Sequence, residues 1–168
     1  MIGFMARLIC SFQKAWLSPA DASGAGTIQV NPSAQTLRKR IAEQARHRCG
    51  YCLTLEAISG IPLTLEHIIP KAKGGQDVEE NLWLSCRLCN EAKGVLTEAI
   101  DPQTGNHVPL FNPRTQVWAE HFTWSEDGTH MIGQTPIGRA TVVALSLNSE
   151  LRVRARAIWV EAGWHPPE

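Results

Sequence analysis

The sequence predicts an α+β fold in which a small β-hairpin and a helix are closed by a four-cysteine metal site. A second β-hairpin and two helices are expected to follow toward the C-terminus. Two Cys-x-x-Cys pairs, Cys49–Cys52 and Cys86–Cys89, flank short apolar stretches. The dipeptide Asp127-Gly128, a strong hairpin signal, lies between two later apolar stretches. These observations together indicate short strands and helices built around a metal.

The composition is that of a globular chain without a dominant charge. Of the 168 residues, 43% are hydrophobic and 19% are charged, which supplies a core and is too little charge for a disordered chain. The formal net charge is zero, so the overall charge of the chain does not by itself indicate nucleic-acid binding. Nine basic against seven acidic residues between positions 34 and 93 give only a slight local excess, of +2.

Positions 1–33 are expected to form an N-terminal extension and linker. Residues 1–17 are apolar with a four-residue spacing that predicts a short amphipathic helix, interrupted by Arg7 and Lys14. This stretch is too short to span a membrane and has no secretory pattern, so we expect a docked extension and a cytoplasmic protein with no membrane partner. Residues 18–33 are rich in Pro, Ser, Gly and Ala, as in a linker.

Positions 34–100 are expected to form the core. A helix over 34–47 leads into the first cysteine pair. Short strands are predicted at 63–67 and 82–84, on either side of a polar loop that contains Gly74-Gly75. A helix then opens at the second cysteine pair. The predicted order is helix, strand, loop, strand, helix.

Positions 101–168 are expected to pack on this core as an extension. Stretches 117–124 and 131–135 flank the Asp-Gly turn and predict a hairpin. Thr135-Pro136 suits a helix start, because Thr caps well and Pro is favoured at the first helical position. A last helix is predicted from Asn148 onward. Five basic and eight acidic residues lie between 94 and 168, which argues against a phosphate-binding surface there.

Identical Cys-x-x-Cys spacing in both pairs favours a structural Zn²⁺ site at Cys49, Cys52, Cys86 and Cys89. A redox pair or disulfides are the alternatives. The 33 residues between the pairs exceed what a compact zinc ribbon needs, so they are expected to carry a functional unit closed by the metal. Four thiolates leave no open position, and the zinc should hold the fold without taking part in chemistry.

Between the cysteine pairs lie residues that a zinc knuckle does not need. His67 follows Glu66 directly, and Asn81 and Asn90 lie downstream. A lone His is more often structural. Its position beside a carboxylate, inside a metal-closed hairpin, favours a functional role.

The ordered combination resembles the HNH endonuclease family in its zinc-knuckle-bearing, H-N-N form. The residues that carry the resemblance are Glu66-His67-Ile-Ile-Pro70, Gly74-Gly75, Asn81-Leu82, Cys86-x-x-Cys89-Asn90 and Lys93. It implies a ββα-metal core, with His67 as general base, Asn81 as the residue that organises the hairpin and Asn90 as the third signature residue. Asn90 stands where the name-giving pattern has His, and Glu66 where Asp is frequent.

These residue types suit phosphodiester hydrolysis in DNA. A neutral imidazole at His67 would take a proton from water, and Asn81 would orient it by bonding the loop backbone. Glu66 and the Asn90 carbonyl would hold a catalytic Mg²⁺ or Mn²⁺. Candidate phosphate contacts are Lys93, Arg87, Lys71 and Lys73, with Lys93 favoured. The alternatives are a non-catalytic zinc-dependent nucleic-acid-binding module and a zinc domain that serves protein contacts.

Overall fold

The structure is a computed structural model that describes residues 32–167, so the predictions for 1–17 and most of the linker lie outside the described residues. Its helices are α1 (Pro32–Gln44), α2 (Glu56–Ser59), α3 (Arg87–Lys93), α4 (Trp118–His121), α5 (Pro136–Ala144) and α6 (Glu150–Glu161). Its strands are β1 (Thr64–His67), β2 (Leu82–Ser85), β3 (Glu98–Ile100), β4 (His107–Pro109), β5 (Phe122–Trp124) and β6 (Met131–Gly133). Short 3₁₀ turns lie at Lys71–Lys73 and Glu79–Asn81.

The α+β class is confirmed, with helices and three separate antiparallel strand pairs, β1–β2, β3–β4 and β5–β6, among the described residues. In the first pair Thr64 lies opposite Ser85 and His67 lies opposite Leu82. Helix α3 begins two residues after β2 ends, with Cys86 as its N-cap. The strand, loop, strand, helix order thus matches the prediction.

One C-terminal strand prediction was wrong in its first half. Residues expected to be strand from position 117 form helix α4, and only Phe122–Trp124 is extended. Tertiary contacts explain the difference, because the Trp118 Nε1–H donates to Tyr51 O at 2.9 Å and its ring lies 5.2 Å from that of Phe122. A helical turn brings these side chains, four positions apart, to one face. The β3–β4 pair was not predicted.

The predicted start of the next helix is correct. The Thr135 hydroxyl accepts from Gly138 N at 3.1 Å, and Pro136 is the first residue of α5. This N-cap satisfies a backbone donor that the helix itself leaves without a partner.

A single cluster of buried residues joins the cysteine knuckle to the C-terminal elements. It includes Ile41 of α1, Leu84 of β2, Phe122 of β5 and Met131 of β6, all at most 1% exposed. Burial of this size stabilises by roughly 1.5–3 kcal/mol for each large side chain. The β1–β2 hairpin is therefore supported from both ends of the described chain. None of the helices between positions 32 and 167 has the length and apolar character that crossing a membrane requires.

Candidate active site and metal centre

The four cysteines of the two pairs meet at one point. Their sulfur atoms all lie within 4.8 Å of one another, and Cys52 Sγ is 3.7 Å from Cys86 Sγ. Tetrahedral zinc with Zn–S bonds of about 2.3 Å places its sulfurs roughly 3.8 Å apart. The four residues therefore fit a structural Zn²⁺ site, as predicted.

The disulfide alternative does not fit this geometry. All four cysteines are free thiols, and 3.7 Å is far beyond the ~2.0 Å of an S–S bond. Burial raises the pKa of Cys49 and of Cys89, whereas hydrogen bonds from neighbouring sulfurs lower the pKa of Cys52. Buried thiols of this kind need a nearby cation to be ionised, and a bound Zn²⁺ would supply that charge.

His67 lies at the end of β1 with its side chain 24% exposed. Its Nε2 is 2.6 Å from Asp77 Oδ1, and Lys71 Nζ donates to the other oxygen of Asp77 at 2.7 Å. Hydrogen bonds from Lys71 and from His67 lower the pKa of Asp77. Since a carboxylate only accepts, Nε2 is the protonated nitrogen and Nδ1 is the one left to act as a base.

Asp77 was not among the residues predicted from the sequence. It lies in the polar loop ten residues after His67, and nothing in its local pattern separates it from the other acidic residues there. Its position after Gly74-Gly75 was the available signal, because a chain reversal at that point returns the loop to the end of β1.

Asn81 holds this loop by three side-chain hydrogen bonds. Its Oδ1 accepts from Ile69 N at 2.8 Å, and its Nδ2 donates to Ile69 O and to Gln76 O, both at 3.0 Å. Gly75 is required for the same packing, since a Cβ there would lie 1.7 Å from Ile69 O. The loop therefore has a fixed path from His67 to Asp77.

Glu66 does not lie where the predicted ligand of a catalytic divalent ion would have to lie. Successive strand residues point to opposite faces, so Glu66 is on the other side of β1 from His67 and is only 4% exposed. Its Oε1 lies 2.6 Å from Lys93 Nζ. Burial raises the pKa of Glu66, and the Lys93 charge opposes that rise. A carboxylate already paired with a buried cation does not fit as an open ligand for Mg²⁺ or Mn²⁺.

Lys93 likewise does not reach the surface. It is 2% exposed, and its Nζ donates to His67 O at 2.9 Å besides pairing with Glu66. The expected phosphate contact is therefore corrected to an interior ion pair. Lys93 lies on the face of α3 that packs against β1, which one-turn spacing from Asn90 alone did not reveal.

The remaining predicted residues lie at or near the surface. Asn90 is half-buried, and its Nδ2 donates to Thr64 Oγ1 at 3.2 Å, which joins α3 to β1. Three cations are exposed, each with a polar partner: Arg87 contacts Glu91 at 2.6 Å, Lys71 contacts Asp77, and Lys73 contacts Thr97 at 2.9 Å. Their role as phosphate contacts stays a prediction.

Comparison with known proteins gives a match to a family model over residues 49–95, the segment that holds the cysteine pairs and the hairpin between them. No curated protein and no solved structure matches the chain. The matched segment, residues 49–95, holds both cysteine pairs, His67, Asn81 and Asn90. That segment matches the model of the family described as HNH endonuclease, which confirms the resemblance predicted from the sequence.

Proposed function

We propose that this protein is an endonuclease of the HNH type that hydrolyses phosphodiester bonds in DNA, with His67 as the general base. The observation that carries the proposal is the His67–Asp77 contact at 2.6 Å, on a loop held by Asn81, within the matched segment. A base oriented by a carboxylate is an arrangement suited to proton abstraction from water.

In this reaction His67 Nδ1 takes a proton from a water molecule while the oxygen of that water forms a bond to phosphorus. The bond from phosphorus to the 3′ oxygen breaks, and a solvent proton completes the leaving hydroxyl. Asp77 stabilises the imidazolium that forms, because its carboxylate already accepts from Nε2. Lys71 keeps Asp77 ionised. Lys71, Lys73 and Arg87 are the proposed contacts to flanking phosphates.

The family also implies a divalent ion such as Mg²⁺ or Mn²⁺. Glu66 does not fit as its ligand because Lys93 already compensates that carboxylate in the interior. We therefore assign no step to the ion. Asn90 remains the proposed third signature residue, with its side-chain amide joined to Thr64.

Plasmid nicking by the purified zinc-loaded protein tests the proposal. We expect conversion of supercoiled to open-circular DNA in Mg²⁺ or Mn²⁺, and a loss of at least about 100-fold in His67→Ala. The matched control is His107→Ala, an exposed histidine of β4 outside the matched segment. Equal nicking by His67→Ala and the unsubstituted protein would remove His67 from the mechanism.

The burial of Glu66 supports a second candidate, a non-catalytic zinc-dependent nucleic-acid-binding module. In that case the knuckle and hairpin would serve binding alone. Salt-dependent retention of duplex DNA without cleavage under any divalent ion would favour this candidate.

A further inference from the structure

Helix α6 brings a cation to the cysteine knuckle from far along the sequence. The Arg152 Nη1–H donates to Cys89 Sγ at 3.1 Å. Arg152 is 9% exposed and Cys89 is fully buried, so the contact lies in the interior. A guanidinium remains charged in proteins, and burying it without an anion nearby is costly.

Carboxylates do not supply that anion. Between positions 32 and 167, the ion pairs of the arginines involve Arg38, Arg40, Arg87, Arg139 and Arg154, and none involves Arg152. The groups that face Arg152 instead are the cysteine sulfurs, with Cys89 in direct contact and Cys52 and Cys86 within electrostatic range. They supply an anion once a bound Zn²⁺ holds them as thiolates. A buried arginine at this position therefore fits a knuckle that carries negative charge.

The charge of a zinc tetrathiolate meets this requirement. Four thiolates around one Zn²⁺ leave a net charge of about −2 in a buried position. Arg156, one helical turn after Arg152, is also buried and lies within electrostatic range of Cys52 and Cys89. Its own hydrogen bonds go to Leu147 O, Thr129 O and Asn148 Oδ1, so Arg156 also ties α6 to the adjacent turns.

We propose that Arg152 is a positioning residue of the zinc centre, which hydrogen-bonds the Cys89 thiolate and neutralises part of the tetrathiolate charge. Helix α6 then controls how tightly the knuckle retains zinc. This inference does not depend on the proposed nuclease function, because it concerns the metal site alone.

Zinc transfer from the purified full chain to a chromophoric chelator, 4-(2-pyridylazo)resorcinol, tests this proposal. Arg152→Met removes the charge and the donors, Arg152→Gln keeps donors without charge, and Arg152→Lys keeps the charge. Arg154→Met is the matched control, since Arg154 is 74% exposed on the same helix and pairs with Glu150.

We expect zinc release about 10-fold faster in Arg152→Met and Arg152→Gln. Arg152→Lys should stay within about 3-fold of the unsubstituted protein, and Arg154→Met should not differ from it. Substitution by Co²⁺ adds a spectroscopic readout, because the thiolate-to-cobalt charge-transfer band should shift in the two uncharged variants and not in Arg152→Lys.

Unchanged release and an unchanged cobalt band in Arg152→Gln would overturn the proposal. Equally fast release in Arg152→Lys and Arg152→Gln would also overturn it, since charge would then not matter. If Arg152→Met does not fold, the comparison of Arg152→Lys with Arg152→Gln decides by the same criteria.

Discussion

The Lys93 ammonium lies 2.6 Å from Glu66 Oε1, and both side chains are almost fully buried. The same ammonium donates to His67 O at 2.9 Å. One cation thus binds α3 to β1 at the backbone of the proposed general base. Loss of this cation should therefore change the stability of the fold independently of catalysis.

Replacing Lys93 with Met should destabilise the fold by about 3–5 kcal/mol, because a buried carboxylate would lose its counterion. The double variant Glu66→Gln/Lys93→Met should recover most of that loss, since neither charge remains. Urea unfolding of the zinc-loaded proteins measures both values. Lys39→Met, on the exposed face of α1, is the control and should change little. A double variant no more stable than Lys93→Met would contradict the paired role.

The pH dependence of the Lys93→Met variant should follow Glu66. Burial already raises the pKa of Glu66, and removing Lys93 removes the largest contribution that opposes that rise. A carboxyl with a raised folded pKa binds its proton more tightly in the folded state, so stability increases as pH falls through that pKa. The deficit of Lys93→Met relative to the unsubstituted protein should therefore shrink as pH falls from neutral toward the ordinary glutamate pKa of about 4.3.

Much of this arrangement could be predicted from local sequence, and the predictions that were wrong or missing have physical causes. Cysteine spacing predicted the four-sulfur cluster, and short apolar stretches predicted β1 and β2. The direction of Glu66 depends on which face of β1 packs against α3, a tertiary property that the Glu-His dipeptide does not encode. The contact of Asp77 with His67 depends on the path of the loop between them, which Asn81 and Gly75 fix.

Asp77→Asn tests the orientation of His67. The amide can no longer stabilise an imidazolium by charge, so we expect nicking to fall by about 10–100-fold, less than in His67→Ala. The control is Glu80→Gln, an exposed acidic residue of the same loop. Circular dichroism should show the same fold for all three variants. A loss confined to the apparent DNA affinity would instead indicate that Asp77 acts on binding.

Asn81→Ala should loosen the loop between β1 and β2. The substitution removes three hydrogen bonds to the backbone at Ile69 and Gln76, at an expected cost of about 1–3 kcal/mol. Amide hydrogen exchange should accelerate over residues 68–81 and remain unchanged in α6. Asn106→Ala, at an exposed position between β3 and β4, is the control. Protection that stays equal in residues 68–81 would show that other contacts hold this loop.

The four-cysteine metal site and the His67–Asp77 site should respond differently to substitution. Cys49→Ser should lose the metal and unfold the knuckle, because Cys49 is fully buried and its sulfur belongs to the four-sulfur cluster. His67→Ala should keep one zinc per chain and its melting temperature, since the imidazole contacts the loop and not the sulfurs. Elemental analysis and thermal melts measure both. A His67→Ala protein that loses its zinc would contradict this division.

The pair Asp101–Arg139 gives a prediction for the C-terminal half, where β3–β4 meets α5. Arg139 donates to both oxygens of the fully buried Asp101 carboxylate, each at 2.8 Å, and these bonds lower the pKa of Asp101. A carboxyl whose folded pKa is depressed contributes stability above its unfolded pKa of about 3.9, and that stability is lost as pH falls through the folded value.

Arg139→Met should therefore lower the melting temperature by a constant amount from about pH 8 to about pH 5, and the difference should narrow only below about pH 4. Arg114→Met is a weaker match, since Arg114 lies over Trp83 and donates to Leu82 O. Between positions 32 and 167 it forms no ion pair with a carboxylate and has only an electrostatic interaction with Glu79, so its deficit should change much less with acid. If the Arg139→Met deficit narrows already near neutral pH, groups other than Asp101 set the acid response of this half.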